Sequence, residues 1–594
     1  MTERIFAIRA VQQFSMRSVL VIAVLTLTAQ CLHGASCNVV KHADPTEAQK
    51  ALLAADYARA EGLFRADLTA HPGDADATAG LVHTLLREQK VQEAADAVQA
   101  SLTAKPDTGA LITLRGEVEF RQGFPWLAGK SAAESIKIDP CNPRTYLLFA
   151  DLSRINSLYA SARRSLLVAH QLDPGDPEIR EEWISTLPIK QRISEYEAYL
   201  SAPTGENAED IRHLRGYLDH LKKVAGQPRK QCHLVSPVAN AEIPFTMLMY
   251  DANTMRAFGL DVKLNNHSAH LEIDTGAGGL LVSRSVARRA GLKPFSQQEV
   301  GGIGDEGEKS SYTAYADSIR IGNLEFQDCM VEVLDSRNVM EDQDGLIGMD
   351  VFSQFLVTLD YPMRKLALSP LPLRPGDLAG ASSSLNTSED DPDESGPSAA
   401  QANDAPNNKP TTQGEQASSS PDAAANAKPE NGTGAQPQVP APVKHGPYDR
   451  YIAPEMQDYT HVYRIGHDLI LPASLNGKST KLFIMDTGSW STTISPQAAR
   501  EVTKVRNESE MEVQGLSGKV DKIYTADKVT FRFANLSQDA FGVAGFDTSK
   551  ISKETGLEIS GFIGANTLRL LTIHIDYRDG LVKFDYDPNR GYRN

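Results

Sequence analysis

Hydrophobic positions along this 594-residue chain change their spacing twice. From about 45 to 225 they recur every three or four residues among Ala, Leu, Glu and Arg, the one-sided stripe of packed helices. From about 240 the period falls to two, in short runs broken by glycine and asparagine, which predicts half-buried strands. Residues 261–274 (DVKLNNHSAHLEID) predict a hairpin bending at Asn265-Asn266. Residues 470–486 (ILPASLNGKSTKLFIMD) predict its twin, bending at Asn476-Gly477. The β-patterned stretches 240–372 and 448–594 are separated by 373–447, a run of Ser, Ala, Pro, Asn, Gln and Gly. With almost no aromatic or β-branched residues, that run has too little apolar surface to fold. A tether of this kind can still join two halves of one site, because closure entropy grows only logarithmically with length.

The helical stretch repeats. Pro72, Pro106, Pro140 and Pro174 stand 34 residues apart, and Ala60, Ala94, Ala128 and Ala162 each precede one of them by twelve. A small residue where two helices cross, and a proline that ends the second helix, are what stacked helical hairpins require. The period and these positions resemble tetratricopeptide (TPR) repeats, which implies an all-α solenoid over 45–225. Such arrays serve as concave peptide-binding surfaces in some proteins and as spacers in others, so a protein partner on this surface is an expectation.

Net charge is −16, and part of that acidity is local, in Ser388–Ser395 (SEDDPDES). The chain therefore lacks the basic footprint of a nucleic-acid binder. Near the N-terminus, Val19–Ala29 is apolar, follows Arg17 and precedes the small residues Gly34, Ala35 and Ser36. It is too short for a membrane span and suits the core of a signal peptide over 1–36, which predicts export to a periplasmic, cell-surface or secreted location. A lipid anchor at Cys37 is disfavoured, because Gly34 stands where such a motif wants a bulky apolar residue. Cys37, Cys141, Cys232 and Cys329 are widely spaced with no C-x-x-C pair, which argues against a zinc site and against a disulfide scaffold, and leaves pairing open.

The β-patterned stretches carry the same short phrase twice. Residues 271–283 read LEIDTGAGGLLVS and 483–495 read FIMDTGSWSTTIS, which sets Asp274 and Asp486 in matching frames 212 residues apart. Gly345-Leu346-Ile347-Gly348 is followed at a fixed interval by Asp360-Tyr361, and Gly561-Phe562-Ile563-Gly564 by Asp576-Tyr577. Apolar flanks place each carboxylate where water is partly excluded, while Gly276 and Gly488 permit a tight turn that aims backbone N–H groups at it. Thr275 and Thr487 offer hydroxyls that can bond across a two-fold seam. Two carboxylates a few ångströms apart share one proton, so one can act as base towards water while the other polarises a carbonyl.

Both stretches resemble the lobes of retropepsin/pepsin-like aspartic proteases, through D-T-G-A at 274–277, D-T-G-S at 486–489 and the apolar-apolar-Gly elements 346–348 and 562–564. The resemblance implies an all-β bilobal aspartic protease fold after the helical solenoid, with lobe 1 over 240–372 and lobe 2 over 448–594. It implies Asp274 and Asp486 as the catalytic dyad, Thr275, Gly276, Thr487, Gly488 and Ser489 as its support, and an apolar-apolar-Gly element packed under each catalytic loop. Two glycine-containing segments, around Gly301, Gly302 and Gly304 and around Gly515 and Gly518, resemble the flaps of the retroviral members, one per lobe. The expected function is an aspartic-type endopeptidase acting on peptide or protein substrates, without cofactor or metal, with its site formed inside one chain and hence a monomer. The turns that follow the two motifs differ, Ala277-Gly278-Gly279 against Ser489-Trp490-Ser491, so the lobes are not interchangeable. A competing reading stays open: a non-catalytic peptide-binding scaffold with a degenerate protease-like pair. Asp360 and Asp576, each closing a strand, read as structural, and so does His574. Ser283 and Ser495 lack a His-Asp arrangement, and the 14 histidines show no H-E-x-x-H spacing, which speaks against serine and zinc proteases.

Overall fold

The computed structural model describes residues 8–10, 37–227, 230–236, 238–251, 253–336, 343–374, 450–507 and 511–588. Apart from residues 8–10, 373 and 374, the stretches expected to be a signal peptide (1–36) and a tether (373–447) lie outside the described residues. Ile8–Ala10 is a short strand antiparallel to Leu536–Gln538.

Eleven helices occupy 47–225. They form hairpins whose second helices begin at Tyr57, Val91, Pro125 and Tyr159, in step with the 34-residue sequence period. The phased prolines sit in the turn after each second helix. Ala60, Ala94 and Ala128 are fully buried at helix crossings, whereas Ala162 is half-buried. The last hairpin is followed by a segment that returns to the first: the Gly205 N–H donates to the Leu53 carbonyl at 3.0 Å, and Tyr57 Oη donates to the Gly205 carbonyl at 2.8 Å. Arg87 pairs with the buried carboxylate of Glu206 on the same segment. The array thus closes on itself. Disulfide Cys37–Cys141 ties its leading segment to the turn after the Pro125–Ile138 helix.

Each β-rich half is a curled sheet with the same strand order. In lobe 1 the sequence of neighbours is Leu324–Leu334, Leu280–Ser283, Gly345–Ile347, His267–Ile273, Met255–Leu264, Lys309–Ile321 and Ser296–Val300. In lobe 2 it is Leu536–Gly545, Thr493–Ile494, Ile559–Ile563, Ser479–Met485, Asp468–Leu475, Tyr524–Phe533 and Val505–Arg506. Pairing of the first and sixth strands closes each sheet. Both predicted bends form, with Asn265, Asn266, Asn476 and Gly477 all at positive φ, the geometry of tight hairpins that match strand twist.

A third sheet of six strands joins the lobes, three from each, with Phe355–Asp360 antiparallel to Thr572–Asp576 at its centre. There Thr358 and His574, which occupy matching places in the two halves, face each other, with Thr358 Oγ1 2.9 Å from His574 Nδ1. One apolar core runs through both lobes, from Ile243 and Leu260 to Phe483 and Ile575. The helical array docks on lobe 2: Ile155 packs with Leu482, Ile484 and Phe562, Arg464 donates to Tyr159 Oη at 3.2 Å, and Lys481 lies over the Phe124 ring. A second disulfide, Cys232–Cys329, fastens the chain entering lobe 1. All four cysteines whose wide spacing argues against a disulfide scaffold are therefore bridged, across separations of 104 and 97 residues. The Cys37 sulfur is engaged in that way and offers no thiol for acylation. Two disulfides are the mark of an oxidising compartment. Among the described residues, no helix is long and apolar enough to cross a membrane.

Candidate active site

Each Asp-Thr-Gly turn is built around an inserted strand. Gly345–Ile347 runs parallel to the strand entering the first turn and antiparallel to the strand leaving it, and the Asp274 N–H donates to the Ile347 carbonyl at 3.1 Å. In lobe 2, Ile559–Ile563 does the same, with the Asp486 N–H to Ile563 carbonyl distance again 3.1 Å. This explains the glycines of the repeated element. Gly345 and Gly561 have φ of +154° and +147° and press against the backbone of the departing strand. Gly348 donates its N–H to the Gly279 carbonyl (2.8 Å) and Gly564 to Thr492 Oγ1 (3.1 Å), so both elements lie directly under the turns.

The two turns interlock across the lobe seam. The Thr275 N–H donates to Thr487 Oγ1 and the Thr487 N–H to Thr275 Oγ1, both at 3.1 Å. Thr275 Oγ1 donates onward to the Met485 carbonyl at 2.7 Å, and Thr487 Oγ1 to the Ile273 carbonyl at 3.0 Å. This lattice brings the carboxyl groups of Asp274 and Asp486 together at the seam, near enough that the charge of one bears on the other. The Gly276 N–H donates to Asp274 Oδ1 and the Ser489 N–H to Asp486 Oδ1, each at 2.8 Å. A Cβ at Gly488 would stand 2.5 Å from Asp274 Cγ, and one at Gly276 3.0 Å from Asp486 Cγ, so the glycines are what allow each turn to approach the opposite acid.

Burial raises the pKa of both acids. Asp486 is lifted well above the carboxylate range by burial and then by the negative charge of Asp274. Such a pair holds one proton where isolated aspartates would hold none. Two residues upstream, Glu272 is pushed up to about 7, first by burial, despite Arg256 at 3.3 Å.

The glycine segments of the two lobes meet tip to tip. The Gly302 N–H donates to Ser517 Oγ and the Ser517 N–H to the Ile303 carbonyl, both at 3.1 Å. The Glu306 N–H reaches the Ser517 carbonyl at 2.9 Å, and a Cβ at Gly304 or Gly515 would stand 2.5 Å from backbone of the opposite segment. The last repeat helix, Ala208–Ala225, touches the first of these segments through His213 and Glu308, 3.5 Å apart. With Glu299 these two place potential ligand atoms within 4.8 Å of one another, on the largely exposed rim of the protein.

Asp360 and Asp576 sit at strand ends in the inter-lobe sheet: Asp360 Oδ1 accepts the Met363 N–H and Asp576 Oδ1 the Asp579 N–H, both at 3.1 Å. Ser283 and Ser495 cap short helices, accepting from Val286 N and Ala498 N. Residues not singled out in the sequence also support the turns. Asp350 accepts the Gly279 N–H at 3.0 Å, and Asn566 accepts the Thr492 N–H at 2.9 Å. Each stands two residues after the last glycine of its element, a repeated polar position readable from the alignment of the halves. Trp490 is 59% exposed and stacked on Arg569, whose Cζ lies 4.7 Å from the ring centroid.

Two closed β-lobes meet at paired Asp-Thr-Gly turns, and comparison with known proteins bears on the first of them. The family profile described as aspartyl protease matches residues 260–351, which span the first turn and its inserted strand. The chain thus contains an aspartyl-protease-like domain behind a TPR-like helical array. Among solved structures, a retropepsin-like aspartic protease from Rickettsia conorii is 19% identical over 24% of this chain and 96% of its own, with a TM-score of 0.16. A thermophilic TPR protein from Thermus thermophilus is 20% identical over 28% of this chain and 90% of its own, with a TM-score of 0.23. No curated protein matches the chain.

Proposed function

We propose that this protein is an aspartic endopeptidase of an oxidising, extracytoplasmic compartment, active as a single chain, with Asp274 and Asp486 as its catalytic dyad. The observation that carries the reading is the reciprocal threonine lattice, which draws together across the lobe seam two acids whose pKa is raised by burial. One carboxylate takes a proton from a water whose oxygen bonds to the peptide carbonyl carbon, while the protonated partner gives its proton to the carbonyl oxygen. The C–N bond of the tetrahedral adduct then breaks. The first acid returns its proton to the amine nitrogen and a hydroxyl proton of the adduct returns to the second. Thr275, Gly276, Thr487, Gly488 and Ser489 hold the dyad. The segments around Gly301–Gly304 and Gly515–Gly518 serve as flaps that part for an extended peptide and then exclude water. The self-closed helical array offers its outer surface to a client or partner protein.

The test is peptide-library digestion by the purified mature chain between pH 3 and 8, beside Asp274→Asn and Asp486→Asn. Either variant should keep its fold and lose cleavage. A peptide carrying a statine-type mimic of the hydrated carbonyl should bind far more tightly than its parent peptide. Substantial turnover by either variant would rule out the dyad. Equal affinity for mimic and parent would favour a peptide clamp without catalysis.

A further inference from the structure

The two turns are near copies, yet their surroundings are not. The first hairpin of lobe 2, Tyr463–Ile465 with Asp468–Leu475, turns at Gly466 (φ +55°) and His467. This turn carries His467 across the seam to the other lobe's catalytic loop, where Nε2 lies 3.2 Å from the Gly276 carbonyl oxygen. A carbonyl only accepts, so Nε2 bears the proton and donates it. The ring occupies space that a side chain at position 278 would need: a Cβ there would stand 2.7 Å from His467 Nδ1. Gly278 is the counterpart of Trp490, so the difference between the two post-motif turns has a physical cause. Lobe 1 is trimmed to glycine where lobe 2 inserts an imidazole. The matching turn of lobe 1, between Met249 and Met255, reads Tyr-Asp-Ala-Asn-Thr and has no histidine.

Resting on the dyad reading above, we propose that His467 is a positioning residue that breaks the symmetry of the dyad. It holds the Gly276 carbonyl in place, and when charged it favours the ionised form of Asp274, so that the shared proton resides on Asp486. Asp274 is then the base towards water and Asp486 the acid towards the carbonyl.

The groups facing the ring fit this assignment. Those near enough to feel its charge are Asp274 and Asp350 on lobe 1 and, on its own hairpin, Asp468, 3.6 Å from Nε2. Positive charge on His467 opposes the burial that raises the pKa of each of these three acids. Arg464, behind the turn, is committed to the Gly466 and Tyr577 carbonyls at 2.8 and 2.9 Å. Tyr577 is kept neutral by burial. Asp486 is influenced chiefly by burial and by Asp274. Its own backbone donors, Ser489 and Gly488, are uncharged.

The experiment is the pH profile of kcat/KM on one cleavable peptide for the wild type, His467→Gln and Gly278→Ala, with thermal unfolding as a check on the fold. Glutamine keeps a donor for the Gly276 carbonyl and removes the charge. Its acid limb should move to higher pH by about one unit, a tenfold loss on the acid side, with the neutral side less affected. Gly278→Ala, which displaces the ring without removing it, should move the limb in the same direction. A wild type that cleaves, with variants whose profiles superimpose on it after scaling, overturns the role of His467 and leaves the dyad intact. A wild type that cleaves nothing overturns the protease reading and this assignment together.

Discussion

Thr487→Val isolates the lattice that joins the lobes. Valine has nearly the shape of threonine, so packing is kept while the hydroxyl is lost. That hydroxyl accepts from the Thr275 N–H at 3.1 Å and donates to the Ile273 carbonyl at 3.0 Å. Both threonines are buried, at 4% and 1% exposure, so the abandoned N–H and C=O have little access to water. Each buried group left unsatisfied costs about 1–3 kcal/mol, which puts the substitution at about 2–6 kcal/mol. That is a large share of a stability that in most domains totals about 5–15 kcal/mol. Thr487→Ser, which restores the hydroxyl at the loss of a methyl, should recover most of it. The assay is urea unfolding read at Trp490, beside the second turn, in a Trp126→Phe/Trp183→Phe background that silences the helical array. Serine and valine variants of equal stability would show that packing, not hydrogen bonding, holds the seam, and would refute the reasoning.

The raised pKa of Asp486 also makes a signed demand on stability. A carboxyl that holds its proton more tightly when folded stabilises the protein fully below the ordinary carboxylate range, and that contribution is lost as pH rises through the folded value. Asparagine stays neutral throughout, so Asp486→Asn should leave Tm unchanged near pH 3 and raise it at pH 7, and a pH-independent difference would contradict the assigned shift. Removing the first disulfide as Cys37→Ser/Cys141→Ser opens a closed loop with a sequence separation of 104 residues. The double variant should lose about 2–5 kcal/mol in thermal or urea unfolding, and an unchanged transition would show that the bridge adds nothing.

The parts of the fold that repeat were legible because repetition leaves the same mark twice. The glycine elements answer to the positive φ at Gly345 and Gly561, the paired Asp-Thr-Gly frames to the close approach at Gly276 and Gly488, and the 34-residue phasing to buried alanines where helices pack. The two hairpin bends were readable for the same reason. What was not legible depends on contacts between distant segments. Nothing local marks Cys37 as the partner of Cys141, and a histidine at 467 is inconspicuous until the turn at Gly466 carries it beside Gly276. The docking of the helical array on lobe 2 rests on ordinary apolar residues such as Ile155 and Leu482, which read as core wherever they point. Half-burial of Ala162 shows a limit of repeat logic: the last of the four phased alanines keeps the period but not the full crossing contact.

The segment between the lobes departs and returns at one place. Arg374, before it, donates to Asp579 Oδ1 at 2.8 Å; after it, Arg450 Nε donates to the Asp579 carbonyl at 3.1 Å and the Tyr451 N–H to Oδ1 at 3.3 Å. A single buried aspartate therefore staples both feet of the excursion, which fixes where the chain leaves one lobe and enters the other. A cut between those feet would leave two fragments still woven together by their shared six-stranded sheet.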